Sequence, residues 1–278
     1  MKKLIVTAAV AASLAGAVHA AGRVEDTRTW TDSFPVTARQ PTLKVENIWG
    51  DVTVRPGKTG EIAVSVRETR SAPDQKRFDR SQQILRLNTE VDENGVAFYV
   101  GNRSRYWHDS DNCRGCRLDV RFEVTVPPNT KLDVSTVNDG RVDIDGISGH
   151  VSAANVNGPI AVKDLRNCDV LNSVNGDVSL GFTTAPAADC RIETINGDIT
   201  LALPDDSGLD VAMDLFNGRM LTQLPVDALA LPATVEHIET GGHHKYRIEQ
   251  HAGVRIGAGG PRFTISSMNG DIRIQKIN

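Results

Sequence analysis

Aromatic residues are scarce: they make up 5% of 278 positions, with three Trp and three Tyr. A cleft that stacks sugar rings on indoles and phenols is therefore poorly supported. Positive charge is not in excess either, with 31 Lys and Arg against 35 acids and a net charge of −4. Setting aside the first twenty residues, which hold two Lys and no acid, leaves 29 bases against 35 acids, a net of −6. No basic footprint for nucleic acid exists. Beyond the first twenty residues there is no long apolar run, so no transmembrane span is expected in the mature chain. Also missing are a G-x-S-x-G elbow, an H-x-x-x-H pair and a second C-x-x-C. What remains is a chain 40% hydrophobic and 24% charged, which excludes wholesale disorder and a collagen-like fibre. Its length suits one sizeable core or two small ones.

The first twenty residues read as an export signal. Lys2 and Lys3 form a positive start, Leu4 to Val18 are apolar or small, and Val18-His19-Ala20 supplies small residues for cleavage between Ala20 and Ala21. No Cys follows to carry a lipid anchor. The expected location is the periplasm or the cell surface. In an oxidising compartment the four cysteines, Cys113, Cys116, Cys168 and Cys190, favour disulfides. Cys113-Arg114-Gly115-Cys116 sits in a polar loop and has three readings: a small structural disulfide, a redox pair, or half a zinc site. The redox reading needs a βαβ context and zinc needs two more ligands, of which only His108 is near, so the disulfide is preferred.

A repeated unit dominates the rest. Val156-Asn157-Gly158-Pro159-Ile160, Val174-Asn175-Gly176-Asp177-Val178, Ile195-Asn196-Gly197-Asp198-Ile199, Phe216-Asn217-Gly218-Arg219-Met220 and Met268-Asn269-Gly270-Asp271-Ile272 share one form. Looser copies are Ile48-Trp49-Gly50-Asp51-Val52 and Val137-Asn138-Asp139-Gly140-Arg141-Val142. Repeat glycines at 140, 158, 176, 197 and 218 are spaced by 18, 18, 21 and 21 residues, the period of a solenoid coil. Asn-Gly is expected to turn the chain through φ > 0. After each turn an alternating run such as Val178-Ser179-Leu180 points aliphatic side chains inward. Cys168 and Cys190 then fall on adjacent coils near the corner before the strand, within reach of each other. The predicted class is all-β: a right- or left-handed β-solenoid of roughly 18–21-residue coils over 126–278, expected to be continuous with a β-rich N-terminal region at 21–125. A short helix is expected within 74–87, and a hairpin around Gly241-Gly242-His243-His244.

The serial Asn-Gly-Asp copies, the Val126-Pro127-Pro128-Asn129 lead-in and Gly257-Ala258-Gly259-Gly260 before the last copy resemble the bacterial "putative adhesin" β-solenoid family, over roughly residues 40–278. That resemblance implies an envelope protein with no catalytic residues to carry over. The cysteine loop and the stretch 219–267 depart from the pattern.

Sharper readings compete with it. After each repeat glycine stand Asp51, Arg141, Pro159, Asp177, Asp198, Arg219 and Asp271, which suggests a carboxylate ladder for calcium or for polysaccharide cleavage. Calcium-binding nonapeptides are absent, and Arg219 on the coil after Asp198 is expected to balance the ladder. Tyr106-Trp107-His108 could contact a ligand or cap the core. His237, His243, His244 and His251 do not form a metal pattern, since adjacent residues on a strand face opposite ways. The expectation is a non-enzymatic, adhesin-like binding or scaffold module without cofactor or metal, its partner an envelope glycan or protein. Alternatives are a solenoid enzyme acting on polysaccharide and a periplasmic sensor of envelope stress.

Overall fold

The structure is a computed structural model that describes residues 22–101, 113–231, 234–240, 243–249 and 252–277. The export signal with its Ala20/Ala21 junction and the Tyr106-Trp107-His108 cluster lie outside the described residues. Strands dominate, and they collect into a ten-stranded sheet, an eleven-stranded sheet and a two-stranded hairpin.

The centre is a stack of seven rungs, each made of one strand in either large sheet with the repeat corner between them. The first is β2 (Thr42–Glu46) with β3 (Val52–Pro56). The next two are β8 (Lys131–Asn138) with β9 (Val142–Asp145), and β10 (His150–Asn157) with β11 (Ile160–Leu165). β12 (Asn167–Asn175) with β13 (Val178–Phe182), and β14 (Cys190–Asn196) with β15 (Ile199–Leu203), form the fourth and fifth. Neighbouring rungs run parallel in both sheets. The sixth place is not taken by the next segment of the chain. β16 (Leu209–Asn217) and β17 (Met220–Thr222) follow in sequence, but β22 (Arg262–Asn269) and β23 (Ile272–Lys276) insert between them and the fifth rung. The last repeat of the sequence is thus the sixth rung of the stack.

Alternation explains the core. Val178, Leu180 and Phe182 point inward from β13 and are buried, while Ser179 and Gly181 face out. The same pattern in every rung joins one apolar cluster from Phe34 to Ile274, in which β2 and β3 are as fully included as the later rungs. Each such aliphatic side chain contributes about 1.5–3 kcal/mol by leaving water. Phe182 and Phe263 pack at 5.7 Å between centroids inside the later part of the stack.

The first end is closed by longer strands. β1 (Val24–Pro35), β4 (Glu61–Ala72) and β7 (Arg117–Val126) extend the ten-stranded sheet antiparallel, with β7 joining the stack through β3. β5 (Leu87–Asp92) and β6 (Gly95–Val100) extend the other sheet beside β2. Helix α1 (Gln75–Ile84) starts at Asp74, whose carboxylate accepts from the Arg77 N–H at 2.8 Å. Its last turn receives Arg70, which donates to the carbonyls of Ser81 at 2.6 Å and Leu85 at 2.7 Å. At the other end β18 (Val226–Ala228) and β21 (Ala252–Ile256) cap β16 antiparallel. β19 (Thr234–Thr240) and β20 (His243–Glu249) form the hairpin.

Cys113 bonds Cys116 and Cys168 bonds Cys190, the latter tying the fourth rung to the fifth. No described helix is long and apolar enough to cross a membrane.

Candidate functional site

The repeat corner puts four residue types on four parallel rows. Its glycines do not act as the sequence suggests. Gly50 has φ +106°, and Gly197 and Gly270 have +159° and +155°, but Gly140, Gly158, Gly176 and Gly218 are not in positive φ. The φ > 0 expectation therefore fails for most corners. The constraint is close approach instead. A Cβ on Gly140, Gly158, Gly176, Gly197, Gly270 or Gly218 would stand under 3.0 Å from the carbonyl oxygen of the glycine one rung earlier. Only a missing side chain lets successive corners nest at the strand spacing of ~4.8 Å.

Those glycine carbonyls are satisfied from inside. Thr136 Oγ1 donates to the Gly50 oxygen at 3.2 Å, Asn155 Nδ2 to Gly140 at 2.8 Å, Ser173 Oγ to Gly158 at 3.3 Å and Thr194 Oγ1 to Gly176 at 3.1 Å. Ser267 repeats the contact to Gly197 at 3.4 Å. These polar side chains are buried, and the row accounts for their place in an otherwise apolar core. Asn155 differs from its neighbours because its Oδ1 is buried without a partner.

The asparagines form a surface ladder. Asn157 donates to Asn138 Oδ1 at 3.0 Å, Asn175 to Asn157 at 2.9 Å, Asn196 to Asn175 at 2.8 Å, Asn269 to Asn196 at 2.8 Å and Asn217 to Asn269 at 2.9 Å. Each amide uses one N–H and one lone pair on its neighbours, so the second of each faces outward.

The aspartates are tied to the next rung. Asp51 Oδ1 accepts from the Arg141 N–H at 2.9 Å, Asp177 from Asp198 at 2.9 Å, Asp198 from Asp271 at 2.8 Å and Asp271 from Arg219 at 3.0 Å. The expected balance of Asp198 by Arg219 is corrected here. The inserted sixth rung puts Asp271 beside Asp198, so Arg273 pairs with Asp198 while Arg219 pairs with Asp271 at 3.3 Å. The Arg273 guanidinium, helped by the Asp271 N–H, holds the Asp198 carboxyl below the usual carboxylate range. A general acid needs the opposite shift. Among the described residues no group of three or more His, Cys, Asp or Glu is placed to hold a metal ion.

Sequence reasoning missed the fourth row. The residue before each asparagine faces out, not in. Register aligns Val137, Val156, Val174, Ile195, Met268 and Phe216 along the edge of the eleven-stranded sheet. Exposure is 37% at Val156, 42% at Ile195, 52% at Met268 and 81% at Phe216, while Val137 and Val174 in the same row are half-buried. Alternation counted back from the inward Ile160 and Val178 would place Val156 and Val174 inward too, so the row shows only once the length of the corner is known. The apolar row lies beside the amide ladder on one side and a polar row that includes Ser135, Asn172 and Glu193 on the other.

No family model and no curated protein matches this chain. Among solved structures, a "putative cell adhesion protein" from Clostridium sporogenes ATCC 15579 is similar at 11% identity and TM-score 0.42, covering 89% of this chain and 99% of that one. A "putative adhesin" from Bacteroides fragilis NCTC 9343 shows 11% identity and TM-score 0.31 over 90% of this chain and 97% of that one. A "putative lipid binding protein" from Parabacteroides distasonis ATCC 8503 shows 10% identity and TM-score 0.24 over 90% and 97%. At such distance, what this chain does has to be argued from its own residues.

Proposed function

We propose that this is an exported, non-enzymatic module of the cell envelope, a β-solenoid that binds an extended glycan of the wall along its repeat corner. The observation that carries this reading is the outward apolar row from Val137 to Phe216, running beside a hydrogen-bonded amide ladder. Six rungs at ~4.8 Å spacing give this row a length of about 24 Å. A polysaccharide presents apolar C–H faces and hydroxyl or amide edges in alternation along its length. The aliphatic row can cover the first, and the free N–H and lone pair of each ladder amide can meet the second. The corner carboxylates support a structural role, since they accept backbone N–H groups and arginines. The two disulfides suit an oxidising compartment, in keeping with export.

The test is co-sedimentation of the purified protein with isolated cell-wall sacculi and, separately, with outer-membrane vesicles. The expected result is saturable pelleting with sacculi that survives moderate salt, releases no soluble fragments, and is lost in the Ile195→Ser/Met268→Ser/Phe216→Ser variant. Pelleting unchanged by that variant would overturn the assignment of the face, and release of fragments would favour a polysaccharide-cleaving enzyme.

A further inference from the structure

On the outer face of β1, β4 and β7, beside the first two repeat corners, lies a second feature. Register places Arg67 of β4 directly across from Arg121 of β7. Both side chains are exposed on the same face, with Thr29 of β1 next in the row. Like charges directly opposite on antiparallel strands oppose pairing, and among the described residues the acids that flank Arg121 on this face, Asp119 and Glu123, make no ion pair closer than 3.7 Å with either arginine. Among the described residues Arg67 makes no ion pair, and Arg121 has only a 3.7 Å contact with Asp119. Asp119 is already held by Arg117 at 2.9 Å, and Arg117 also reaches Asp139 at 3.0 Å and lies over the Trp49 ring. Asp51, which lies near Arg121 through the β3–β7 pairing, accepts the Arg141 N–H and makes no ion pair with Arg121 among the described residues. Arg67, Arg117 and Arg121, with the Thr69 and Ser71 hydroxyls and the Asp119 carboxylate that Arg117 holds, line a cleft of about 320 Å³. Glu25 closes its far end, and Arg23 reaches the Ser71 hydroxyl at 3.3 Å beside it. Two residues further along the same strands, at the Ser65–Glu123 pair, begins a broader concavity of about 700 Å³ lined by the Thr31, Thr53 and Thr125 hydroxyls, with Asp32, Arg55 and Glu123 as its charged groups.

We propose that this cleft binds the phosphate monoester of a ligand whose uncharged part lies along the adjoining hydroxyl-rich concavity. Two guanidinium forks facing each other offer more donors than a carboxylate can use. A tetrahedral dianion with three terminal oxygens can take one fork from each side and a threonine hydroxyl from the floor. Binding it would also relieve the like-charged pair. Glu25 opposes a dianion, so it limits the affinity of the site.

The test is calorimetric titration of inorganic phosphate into the purified protein at a pH where phosphate is dianionic, against chloride at matched ionic strength. Flotation with phosphatidylcholine vesicles doped with phosphatidic acid runs in parallel. Saturable phosphate binding without flotation would assign a soluble phosphomonoester, and both together a lipid headgroup. Arg67→Ala and Arg121→Ala should each weaken binding about tenfold, as loss of a charge-assisted pair implies. Arg67→Lys should restore only part of it, since an ammonium cannot form the fork. Glu25→Gln should tighten binding. Arg262→Ala, on a distant rung, should change nothing. Both arginines are exposed, so these variants should melt at or above the wild-type temperature before phosphate is added. Heats equal to chloride dilution, or equal losses from Arg262→Ala and Arg67→Ala, would overturn the proposal.

Discussion

Rungs two to five stack in the order the chain supplies them, whereas rungs six and seven are inverted, yet the corner is the same in both regions. The asparagine ladder passes from Asn196 to Asn269 to Asn217 with amide contacts as short as those from Asn157 to Asn175. Gly270 nests against Gly197 as Gly176 nests against Gly158. Asp198 accepts from Asp271 as Asp177 accepts from Asp198. Position in the stack is therefore set by complementary corners and matched cores rather than by which repeat follows next. What differs is how each region is held. The consecutive part has a covalent tie, Cys168–Cys190, while the inverted part relies on β21 and on the inserted rung itself.

The comparison can be broken most severely at the glycine column. Gly176→Ala and Gly270→Ala should each cost about 3 kcal/mol or more, because the added Cβ strikes backbone that cannot move without separating strands. Gly176→Asn distinguishes close approach from left-handed backbone. If nesting is the constraint, Asn should melt as low as Ala; if φ > 0 were the constraint, Asn would be tolerated better. The tie comes next. Reducing Cys168–Cys190, whose partners are 22 residues apart, should cost on the order of 3 kcal/mol, read as a lowered denaturant midpoint. Asn175→Ala removes two ladder contacts and should cost about 1 kcal/mol, as should Asn269→Ala in the inverted region. Asn155→Thr should change stability little: Thr keeps the donor to the Gly140 carbonyl and removes a buried oxygen with no partner, but gives up the 3.3 Å donation to the Pro159 carbonyl, which still accepts from the Val142 N–H.

A smaller effect lies at Asp198, where the inverted region contributes Arg273. Its folded-state carboxyl is held below the usual value, so the stability it adds is complete above pH ~4 and fades as pH falls through the lower folded value. Arg273→Gln should move the Asp198 titration upward in a carboxyl NMR titration and remove that acid-side dependence.

Much of the stack was legible because its chemistry is periodic. Alternation in Val178-Ser179-Leu180 and its copies placed the inward residues, and the repeat period put Cys168 beside Cys190. The period could not show that the last copy returns to the sixth place, because all corners carry the same Asn-Gly pair and so offer no order of their own. It was this reordering that gave Asp198 the partner Arg273 instead of Arg219. The apolar row was hidden for a local reason: its parity depends on the corner length, and Val156 reads like a core residue until the corner is seen. The Arg67–Arg121 pair was not legible, since the two lie 54 positions apart on strands whose register no repeat specifies.

The most direct test of stacking by corner complementarity is a pair of double-cysteine variants that compare two possible neighbours of the fifth rung. Asn196→Cys with Asn269→Cys places thiols on adjacent parallel strands in register, and Asn196→Cys with Asn217→Cys places them two strands apart. On mild oxidation the first pair should form an intramolecular disulfide and the second should not. A disulfide in the second pair, with none in the first, would mean that the rungs follow the chain and would contradict the inverted order.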